Sequence, residues 1–385
     1  MIEQLHLKNF KCFADQALRI ANFTLLAGLN GTGKSTVIQS LLLLRQSFRS
    51  GALSEGHFLF GGDLVDLGTP TDVLYERASD DEISISLRMQ GVESAALFKA
   101  TVTQDRKNAL LNPSDARGAA NTVLLDQHSA LLSGEALQPL FSMFHYLHAE
   151  RNGPRKFLPM ARGQTDSDLG VRGEYVLDAL DRCQDAIKIS SSDPRAIDGA
   201  GERLRDQLEA WLQIISPGVR LSISPIPDAD LMISGFSFGA SGQLRSRNYR
   251  ASNVGFGLSY VLPIIVALLG TAPGGLILIE NPEAHIHPKG QTKLGELCVR
   301  AAAAGIQVVV ETHSDHVMDG ARIAVREKIL NSDRVVFHYF DRGLGETSVL
   351  TPVLDNAGRL SEWPPGFFDQ HRRNTSRLVK PLDRG

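Results

Sequence analysis

The chain has 385 residues, of which 43% are hydrophobic and 22% are charged, and its formal net charge is -3. These values are typical of a globular protein with two or three lobes, because a single core stops growing well below this length. They exclude a global positive field that would attract nucleic acid or an acidic membrane, so any contact with DNA would need a local basic patch.

Cysteine usage and hydropathy indicate the cellular compartment in which the chain is expected. The three cysteines are far apart and form no CxxC pair, which favours a reducing compartment over a disulfide or zinc framework. The most apolar segment, VLPIIVALLG at 261–270, is too short to cross a bilayer. The first residues, MIEQLHLKNF, alternate like a strand and do not resemble a signal peptide. We expect a cytoplasmic protein with no membrane partner.

The first two thirds of the chain show mixed patterning. Alternating and apolar runs predict strands, a Gly-rich turn follows the second of them, and STVIQSLLLLRQSF is predicted to be a buried helix. Later segments are β-rich, then helical, and then return to short strands. The predicted ranges are strands at 2–9 and 16–27, a helix at 35–48, a β-rich segment at 58–102, helices within 173–214, and short strands and turns at 219–250.

After residue 253 strands and helices alternate, which favours a mainly parallel, mixed sheet covered by helices, an α/β fold. The predicted order is helix 257–269, strand 275–280, helix 286–304, strand 306–311, helix 315–328, strand 334–341 and strand 346–353. No heptad run is long enough for a coiled coil. We divide the chain into an amino-terminal lobe (1–102), an inserted β-rich and helical lobe (103–250), a carboxyl-terminal lobe (251–353) and a tail (354–385).

The stretch GLNGTGKST at 28–36, here called the phosphate loop, matches G-x-x-x-x-G-K-[ST] in full. Its glycines permit the partly left-handed backbone that turns successive N–H groups into an anion nest, and the helix that follows adds its positive end. Lys34 is predicted to reach the β- and γ-phosphates of a nucleotide, and the Ser35 hydroxyl to bind magnesium. The candidate binding residues are Gly28, Asn30, Gly31, Gly33, Lys34, Ser35 and Thr36.

Two downstream strands end in polar residues that suit the same site. In LILIENPEAHIHP (276–288), Glu280 ends a buried strand, where a carboxylate can bind magnesium directly or through water. Asn281 follows, and its amide can orient a water molecule but cannot take a proton from it. Glu283 is the nearest carboxylate that could take this proton in place of Asn281. In the next strand, His313 of ETHSDH can hydrogen-bond the γ-phosphate or orient the attacking water.

A second Gly-rich turn precedes a helix in NVGFGLSYVLPIIVALL, and we call residues 253–259 the signature turn. The turn can present backbone N–H groups and a hydroxyl to a phosphate held by another copy of the chain. A simple bend before a core helix explains the same residues equally well. The candidate residues are Asn253, Gly255, Gly257 and Ser259.

Together, in this order, the motifs resemble those of an ABC-type ATPase of the SMC and RecF kind. The segment LHLKNFKCFADQALRIANFTLLAGLNGTGKST resembles its first strands and phosphate loop, NVGFGLS its signature, LILIENP its acidic strand and ETHSDH its switch-histidine strand. More narrowly, the chain resembles bacterial AAA-family ATPases related to the overcoming-lysogenisation-defect nucleases and to the Septu defence ATPase. That likeness depends on FGGDLVDLGTPTDVLY, YLHAERNGPR, IENPEAHIHP and WPPGFFDQ, the last typical of an uncharacterised carboxyl-terminal domain.

The resemblance implies ATP and Mg²⁺ as cofactors, with Lys34 and Ser35 at phosphate and metal, Glu280 at the metal and His313 as the switch histidine. It implies a head-to-tail homodimer in which the signature turn acts on the partner's nucleotide. Many related ATPases have a second carboxylate where Asn281 stands, so we expect slow, regulated hydrolysis. Residues 330–385 are too few for the Toprim nuclease domain of the related group. We therefore expect a separate effector, a nuclease acting in phage defence or DNA maintenance, with DNA itself a candidate partner.

Two other functions stay open. Asn281 also fits a non-hydrolysing nucleotide sensor or scaffold. A transporter subunit would need a membrane-domain partner, and the long insertions at 50–250 do not resemble a compact one. Arg151 and Arg155 could bind phosphate or, in the interpretation we prefer, tie lobes together through carboxylates. The loop with His285 and His287 is predicted to contact the partner copy rather than a metal, because its spacing does not align ligands on a helix face.

Overall fold

The computed structural model describes residues 1–92, 95–102, 122–124, 137, 141–161, 168–239, 246–343 and 345–379. The strands are β1 (Ile2–Phe10), β2 (Phe13–Arg19), β3 (Phe23–Gly28), β4 (His57–Leu59), β5 (Glu82–Met89), β6 (Ala96–Thr101), β7 (Thr122–Leu124), β8 (Phe144–Leu147), β9 (Leu158–Pro159), β10 (Val219–Ile226), β11 (Leu231–Phe238), β12 (Tyr249–Arg250), β13 (Leu276–Glu280), β14 (Gln307–Glu311), β15 (Val335–Arg342) and β16 (Thr347–Leu350). The helices are α1 (Lys34–Arg49), α2 (Pro70–Val73), α3 (Val176–Cys183), α4 (Leu204–Ile215), α5 (Phe256–Gly270), α6 (Pro288–Ala303), α7 (Asp315–Arg326) and α8 (Gln370–Leu378).

A central sheet has the strand order β16-β15-β3-β14-β13-β8, and all of its pairs are parallel except β15–β16. The inner strands read FTLLA, QVVV and LILI, the near-continuous apolar runs that a parallel sheet covered on both faces requires. Parallel pairing places the carboxyl ends of β3, β14 and β13 side by side. The predicted α/β class with a mainly parallel, mixed sheet is confirmed.

Two cores lie against the two faces of this sheet because successive strand residues point to opposite sides. In β13, Ile277 and Ile279 belong to one core, and Leu276 and Leu278 belong to the other. Helices α3 to α7 contribute to the first core. Helix α1 fills the second core, between the central sheet and an antiparallel sheet of order β2-β1-β5-β6.

Two predicted boundaries change. The strand predicted at 16–27 is two strands, because β2 pairs antiparallel with β1 whereas β3 joins the central sheet. The range 103–250 is not one inserted lobe: β8 forms the edge of the central sheet next to β13, while β10, β11, β12 and β9 form a separate antiparallel sheet. Much of 103–140 lies outside the described residues. The tail contains helix α8.

The helices of the described residues are short. The longest, α1 and α6, have 16 residues each. In this part of the chain no helix has the length and apolar composition that crossing a bilayer requires.

Candidate functional site

The phosphate loop, between β3 and α1, adopts the backbone that its glycines allow. Gly28, Gly31 and Gly33 have φ values of 145°, 75° and 103°. A Cβ atom at Gly28 would collide with the carbonyl oxygen of Phe340, and one at Gly33 would lie 2.6 Å from Cys12 Sγ. Both positions therefore need glycine for conformation and for space.

Lys34 and Ser35 begin α1 and meet an acidic residue from another strand. The Lys34 side chain is only 3% exposed, and its Nζ donates to the carbonyl oxygens of Gly28 (3.0 Å) and Leu29 (2.6 Å). Ser35 Oγ donates to Glu311 Oε1 at 3.1 Å, and Lys34 Nζ lies 4.0 Å from the same oxygen. Burial lowers the pKa of Lys34, and the negative charge of Glu311 opposes that shift.

An open pocket of 620 Å³ surrounds the phosphate loop. Its walls are the β1–β2 turn, the segment around α2, the end of β14 and the β15–β16 hairpin. A groove of 680 Å³ elsewhere, at the start of β1, contains none of the predicted site residues. The lining residues of the phosphate-loop pocket are Lys11, Cys12, Asn30, Gly31, Gly33, Lys34, Ser35, Thr36, Gln39, Asp72, Leu74, Tyr75, Glu76, Arg77, Glu311, Arg342, Gly345 and Thr347.

Two side-chain oxygens of this pocket are buried without a hydrogen-bond partner, Glu311 Oε2 and Thr347 Oγ1, and no other buried side-chain atom of the described residues shares this property. Such atoms are uncommon and costly in native proteins. Burial and the neighbouring negative charge of Glu280 raise the pKa of Glu311 to about 7, and Lys34 opposes this shift. The pocket thus has polar groups that fit a nucleotide with a bound cation.

Glu280 ends β13 and pairs in register with Glu311 on the adjacent strand. Its Oε1 accepts a hydrogen bond from the Tyr146 hydroxyl at 2.9 Å, and its Oε2 accepts one from the backbone N–H of Ala149 at 3.3 Å. His148 Nε2 lies 3.8 Å from Oε2. Both oxygens are therefore held from the β8 side, and β13 is the second strand away from the phosphate-loop strand.

Asn281 has a left-handed backbone, with φ of 43°. Asparagine adopts this conformation more readily than most residues. The Asn281 N–H donates to the carbonyl oxygen of Glu311 at 2.8 Å, so the chain stays tied to β14 directly after Glu280.

The Arg151 guanidinium, 3% exposed, holds the ends of several elements together. Nη1 donates to the carbonyl oxygens of His148 (2.9 Å) and Glu280 (2.6 Å), Nη2 to that of Asn281 (2.7 Å), and Nε to that of Tyr260 (3.1 Å). Burial lowers the pKa of Arg151 to about 10. The expected structural role is present, but Arg151 acts through backbone carbonyls rather than carboxylates.

Glu283 anchors the switch loop, residues 312–314. Its Oε2 accepts from the Thr312 hydroxyl at 2.7 Å, and its Oε1 accepts from the backbone N–H of His313 at 2.8 Å. The His313 side chain reaches solvent. Partial desolvation, and then the positive charge of Lys34, lower its pKa, whereas Glu283 raises it. The lowered pKa favours the uncharged imidazole, and Glu283 positions the loop that carries it.

The signature turn lies apart from the pocket of its own chain. Gly255 caps α5 without a side-chain hydrogen bond, and none of Asn253, Gly255, Gly257 and Ser259 belongs to the described pocket lining. A Cβ atom at Gly257 would lie 2.6 Å from the carbonyl oxygen of His285. The His285 ring packs against Phe256 and Tyr260, with centroids 5.2 Å and 4.6 Å away. The loop after β13 thus braces the signature turn.

The sequence-based predictions do not include Glu311. GIQVVVE ends in a carboxylate directly after an apolar strand, as LILIE does, and that parallel was a usable signal. Thr347 had no such signal, because its place in the pocket depends on the β15–β16 hairpin. Arg77 and Arg342, which also line the pocket, were not singled out either.

Three family models match separate parts of the chain. Residues 1–128 match "AAA ATPase domain", and residues 242–319 match "AAA domain, putative AbiEii toxin, Type IV TA system". Residues 330–378 match "Protein of unknown function (DUF3696)". A comparison with curated protein sequences found no significant match.

Solved structures of SMC heads are similar to this chain. An SMC head bound to the C-winged helix domain of ScpA has a TM-score of 0.54 at 14% identity, over 92% of this chain and 98% of that one. An SMC head with an extended coiled coil, bound to the ScpA C-terminal domain derived from Pyrococcus furiosus, has a TM-score of 0.48 at 13% identity, over 98% and 99%. The SMC head domain from Thermotoga maritima has 0.42 at 11%, over 91% and 98%.

The phosphate-loop site has groups that fit a nucleotide, and the segments on either side of the fold's centre, 1–128 and 242–319, are similar to AAA ATPase domains. The fold of the chain is similar to that of an SMC head. At the carboxyl end, the chain adds the segment that matches the family of unknown function.

Proposed function

We propose that the chain is a slowly hydrolysing ABC-type ATPase that acts as a nucleotide-gated dimeric switch for a partner effector. The observation that carries this proposal is the meeting of Lys34 and Ser35 with the partnerless oxygens of Glu311 and Thr347 in one pocket. These groups supply a buried cation, a hydroxyl and a carboxylate, which match the chemistry of a nucleotide phosphate with its metal ion.

In this mechanism the phosphate loop binds the β- and γ-phosphates through its backbone N–H groups and Lys34. Ser35 would bind Mg²⁺, with the acidic strand ends close by, and the metal would neutralise phosphate charge. His313, whose backbone N–H is held by Glu283, hydrogen-bonds the γ-phosphate or orients the attacking water. Positioning and charge stabilisation account for most of phosphoryl-transfer catalysis, so hydrolysis proceeds without a strong base.

Hydrolysis is proposed to be slow because no ready general base stands at the expected positions. Asn281 has an amide, and both oxygens of Glu283 already accept hydrogen bonds from the switch loop. The same two observations favour a second candidate function, a nucleotide sensor or scaffold that binds ATP without turnover.

Nucleotide binding and phosphate release separate the two candidates. We expect the purified protein to bind a fluorescent ATP analogue and to release phosphate slowly, and Lys34→Ala to lose both. Lys8→Ala is the matched control, because this lysine lies on β1, outside the pocket lining. If the wild type binds the analogue but releases no more phosphate than Lys34→Ala does, the sensor function is supported. Equal binding of the analogue by wild type, Lys34→Ala and Lys8→Ala would contradict the nucleotide site.

We infer a head-to-tail dimer from the separation of the signature turn and the pocket. Two large apolar side chains near these features are exposed, Leu29 of the phosphate loop (61%) and Phe256 of the signature turn (54%). In a head-to-tail dimer, the phosphate loop of one copy faces the signature turn of the other, so both side chains become buried. Exposed apolar groups at two complementary surfaces support such an interface.

The effector is proposed to be a separate nuclease, and the setting phage defence or DNA maintenance, on the sequence resemblance. The similar SMC head was solved bound to a winged-helix domain of ScpA, so a head of this fold can accept a partner. Affinity purification from the native cell tests the proposal. We expect a nuclease, encoded next to this chain, to copurify; DNA cleavage by this protein alone, in magnesium, would contradict a separate effector.

A further inference from the structure

Glu311 occupies the strand position next to the phosphate loop. Strand β14 pairs with β3 on one side and with β13 on the other, and Glu311 stands in register with Leu26 and with Glu280. Glu280, which the motif order assigns to the metal, lies on the more distant strand. The fold therefore brings a second carboxylate closer to the start of α1 than the expected one.

The contacts of Glu311 leave one oxygen available. Oε1 accepts the Ser35 hydroxyl, whereas Oε2 is buried in a side chain 7% exposed and has no partner. Lys34 Nζ is 4.0 Å from Oε1 and donates to the backbone carbonyls of Gly28 and Leu29. A buried carboxylate oxygen without a donor or a cation costs free energy.

A nucleotide by itself would worsen this cost, because phosphate oxygens beside Glu311 would repel it. A divalent cation between the carboxylate and the phosphates removes the repulsion, and Mg²⁺ typically binds one or two carboxylates together with substrate phosphates. Glu280 is less suited to that contact, because its oxygens already accept from the Tyr146 hydroxyl and the Ala149 N–H.

We propose that Glu311 is a direct metal ligand beside Ser35, and that Glu280 supports the site from behind it. This inference rests on the proposed nucleotide function. Within the described residues, no group of three or more His, Cys, Asp or Glu side chains can hold a metal by itself. The nucleotide phosphates therefore complete the coordination, and the metal binds tightly only in their presence.

Binding experiments with Mn²⁺ and a non-hydrolysable ATP analogue test the role of Glu311 without relying on turnover. Free Mn²⁺ is counted by its electron paramagnetic resonance signal. We expect Glu311→Gln to weaken Mn²⁺ binding to the nucleotide complex by at least about tenfold, and Glu280→Gln to weaken it less. In EDTA, Glu311→Gln should bind the analogue as well as or better than wild type, because a negative charge near the phosphates is gone.

A residue that only positions Ser35 would keep that function as glutamine, whose side-chain carbonyl oxygen can still accept the Ser35 hydroxyl, so the Mn²⁺ affinity would not change. Unchanged Mn²⁺ affinity in Glu311→Gln would overturn the inference alone. Failure of the wild type to bind the analogue, with or without metal, would instead overturn the proposed function.

A cysteine substitution provides a second test that does not depend on the glutamine variant. In Glu311→Cys, a direct ligand becomes a thiolate, which favours soft Cd²⁺ over Mn²⁺. Because Cys12 also lines the pocket, Cys12→Ser is carried in both this variant and its control. We expect the ratio of Cd²⁺ to Mn²⁺ affinity for the nucleotide complex to rise at least about tenfold. An unchanged ratio, together with unchanged Mn²⁺ affinity in Glu311→Gln, would overturn direct ligation.

Discussion

The backbone conformation at Asn281 restricts which side chains suit this position. Its φ of 43° suits asparagine and aspartate but strains glutamate, whose side chain gains nothing locally from a left-handed backbone. The position therefore favours a short side chain independently of hydrolysis. Its neighbours in the chain, Glu280 and Glu283, keep carboxylates whose oxygens accept hydrogen bonds.

Asn281→Asp should raise hydrolysis by about tenfold or more, because a carboxylate can accept the proton that an amide cannot, and general bases contribute about 10²–10⁴-fold. Phosphate release at saturating ATP is the measurement. Asn281→Ala should slow release, and Glu280→Gln should abolish it. An unchanged rate in Asn281→Asp would mean that proton removal does not limit turnover; normal hydrolysis in Glu280→Gln would contradict its metal-side role.

Arg151 acts between elements, because four of its hydrogen bonds reach the ends of β8 and β13 and the first turns of α5. The start of α5 contains the signature turn, and the end of β13 contains Glu280. A buried guanidinium thus joins the surface proposed to contact the partner's nucleotide to the acidic strand of its own nucleotide site.

Arg151→Met should lower the free energy of unfolding by about 3 kcal/mol, because several buried carbonyl oxygens lose their donor. Urea denaturation measures the change. Arg155, four residues on and exposed, is the matched control, and Arg155→Met should cost less than about 0.5 kcal/mol. Equal effects of the two substitutions would contradict the anchoring role of Arg151.

His338 connects the central sheet to the antiparallel sheet. It lies buried in β15, where one ring nitrogen contacts the Thr351 hydroxyl and the other the carbonyl oxygen of Arg19, both at 2.8 Å. Burial lowers the pKa of His338 to about 4, from an ordinary value near 6.5. The folded protein therefore keeps this ring neutral at a pH where the unfolded chain protonates it.

The contribution of buried, neutral His338 to the free energy of unfolding is fully present above pH 6.5. It is lost as the pH falls from 6.5 towards 4, because over this range only the unfolded state gains the proton. At pH 5 the loss is about 2 kcal/mol, from roughly 1.4 kcal/mol per pH unit. We expect His338→Gln to narrow the difference in unfolding free energy between pH 7.5 and pH 5 by that amount. An equal pH dependence in both proteins would show that His338 is not responsible.

At the scale of the whole molecule, we expect two copies of the chain to assemble around bound nucleotide. Leu29 and Phe256 belong to different halves of the chain, and both are exposed beside features that the proposed dimer brings together. Within one chain, the signature turn contributes no residue to the described lining of the phosphate-loop pocket.

Leu29→Ser and Phe256→Ser should each weaken ATP-dependent dimerisation by at least about tenfold, since each removes the burial of two large apolar side chains per dimer, each worth about 1.5–3 kcal/mol when fully buried. Sedimentation in ATP and in ADP is the measurement, with Glu280→Gln added to slow turnover. Val353→Ser is the control, because Val353 is also exposed but follows β16 at the end opposite the pocket. Dimerisation unaffected by Leu29→Ser and Phe256→Ser, or weakened equally by Val353→Ser, would contradict this interface.

The sequence by itself determined the phosphate loop and most elements after residue 253. Both depend on contiguous residues: glycines at fixed offsets impose the loop, and hydrophobic periodicity separates helix from strand. Predicted helix 257–269 is Phe256–Gly270, and predicted strand 306–311 is Gln307–Glu311. The local pattern was enough to predict these elements, because the signal for each one lies in the contiguous residues that form it.

Only the tertiary structure decided which distant residues share the pocket. Ser35 and Glu311 are 276 positions apart, and Thr347 reaches the phosphate loop only because β16 folds back on β15. Strand order also assigned β8 to the central sheet, within a segment predicted as an insertion. These relations depend on pairing between strand ends, and no local period encodes which ends will meet.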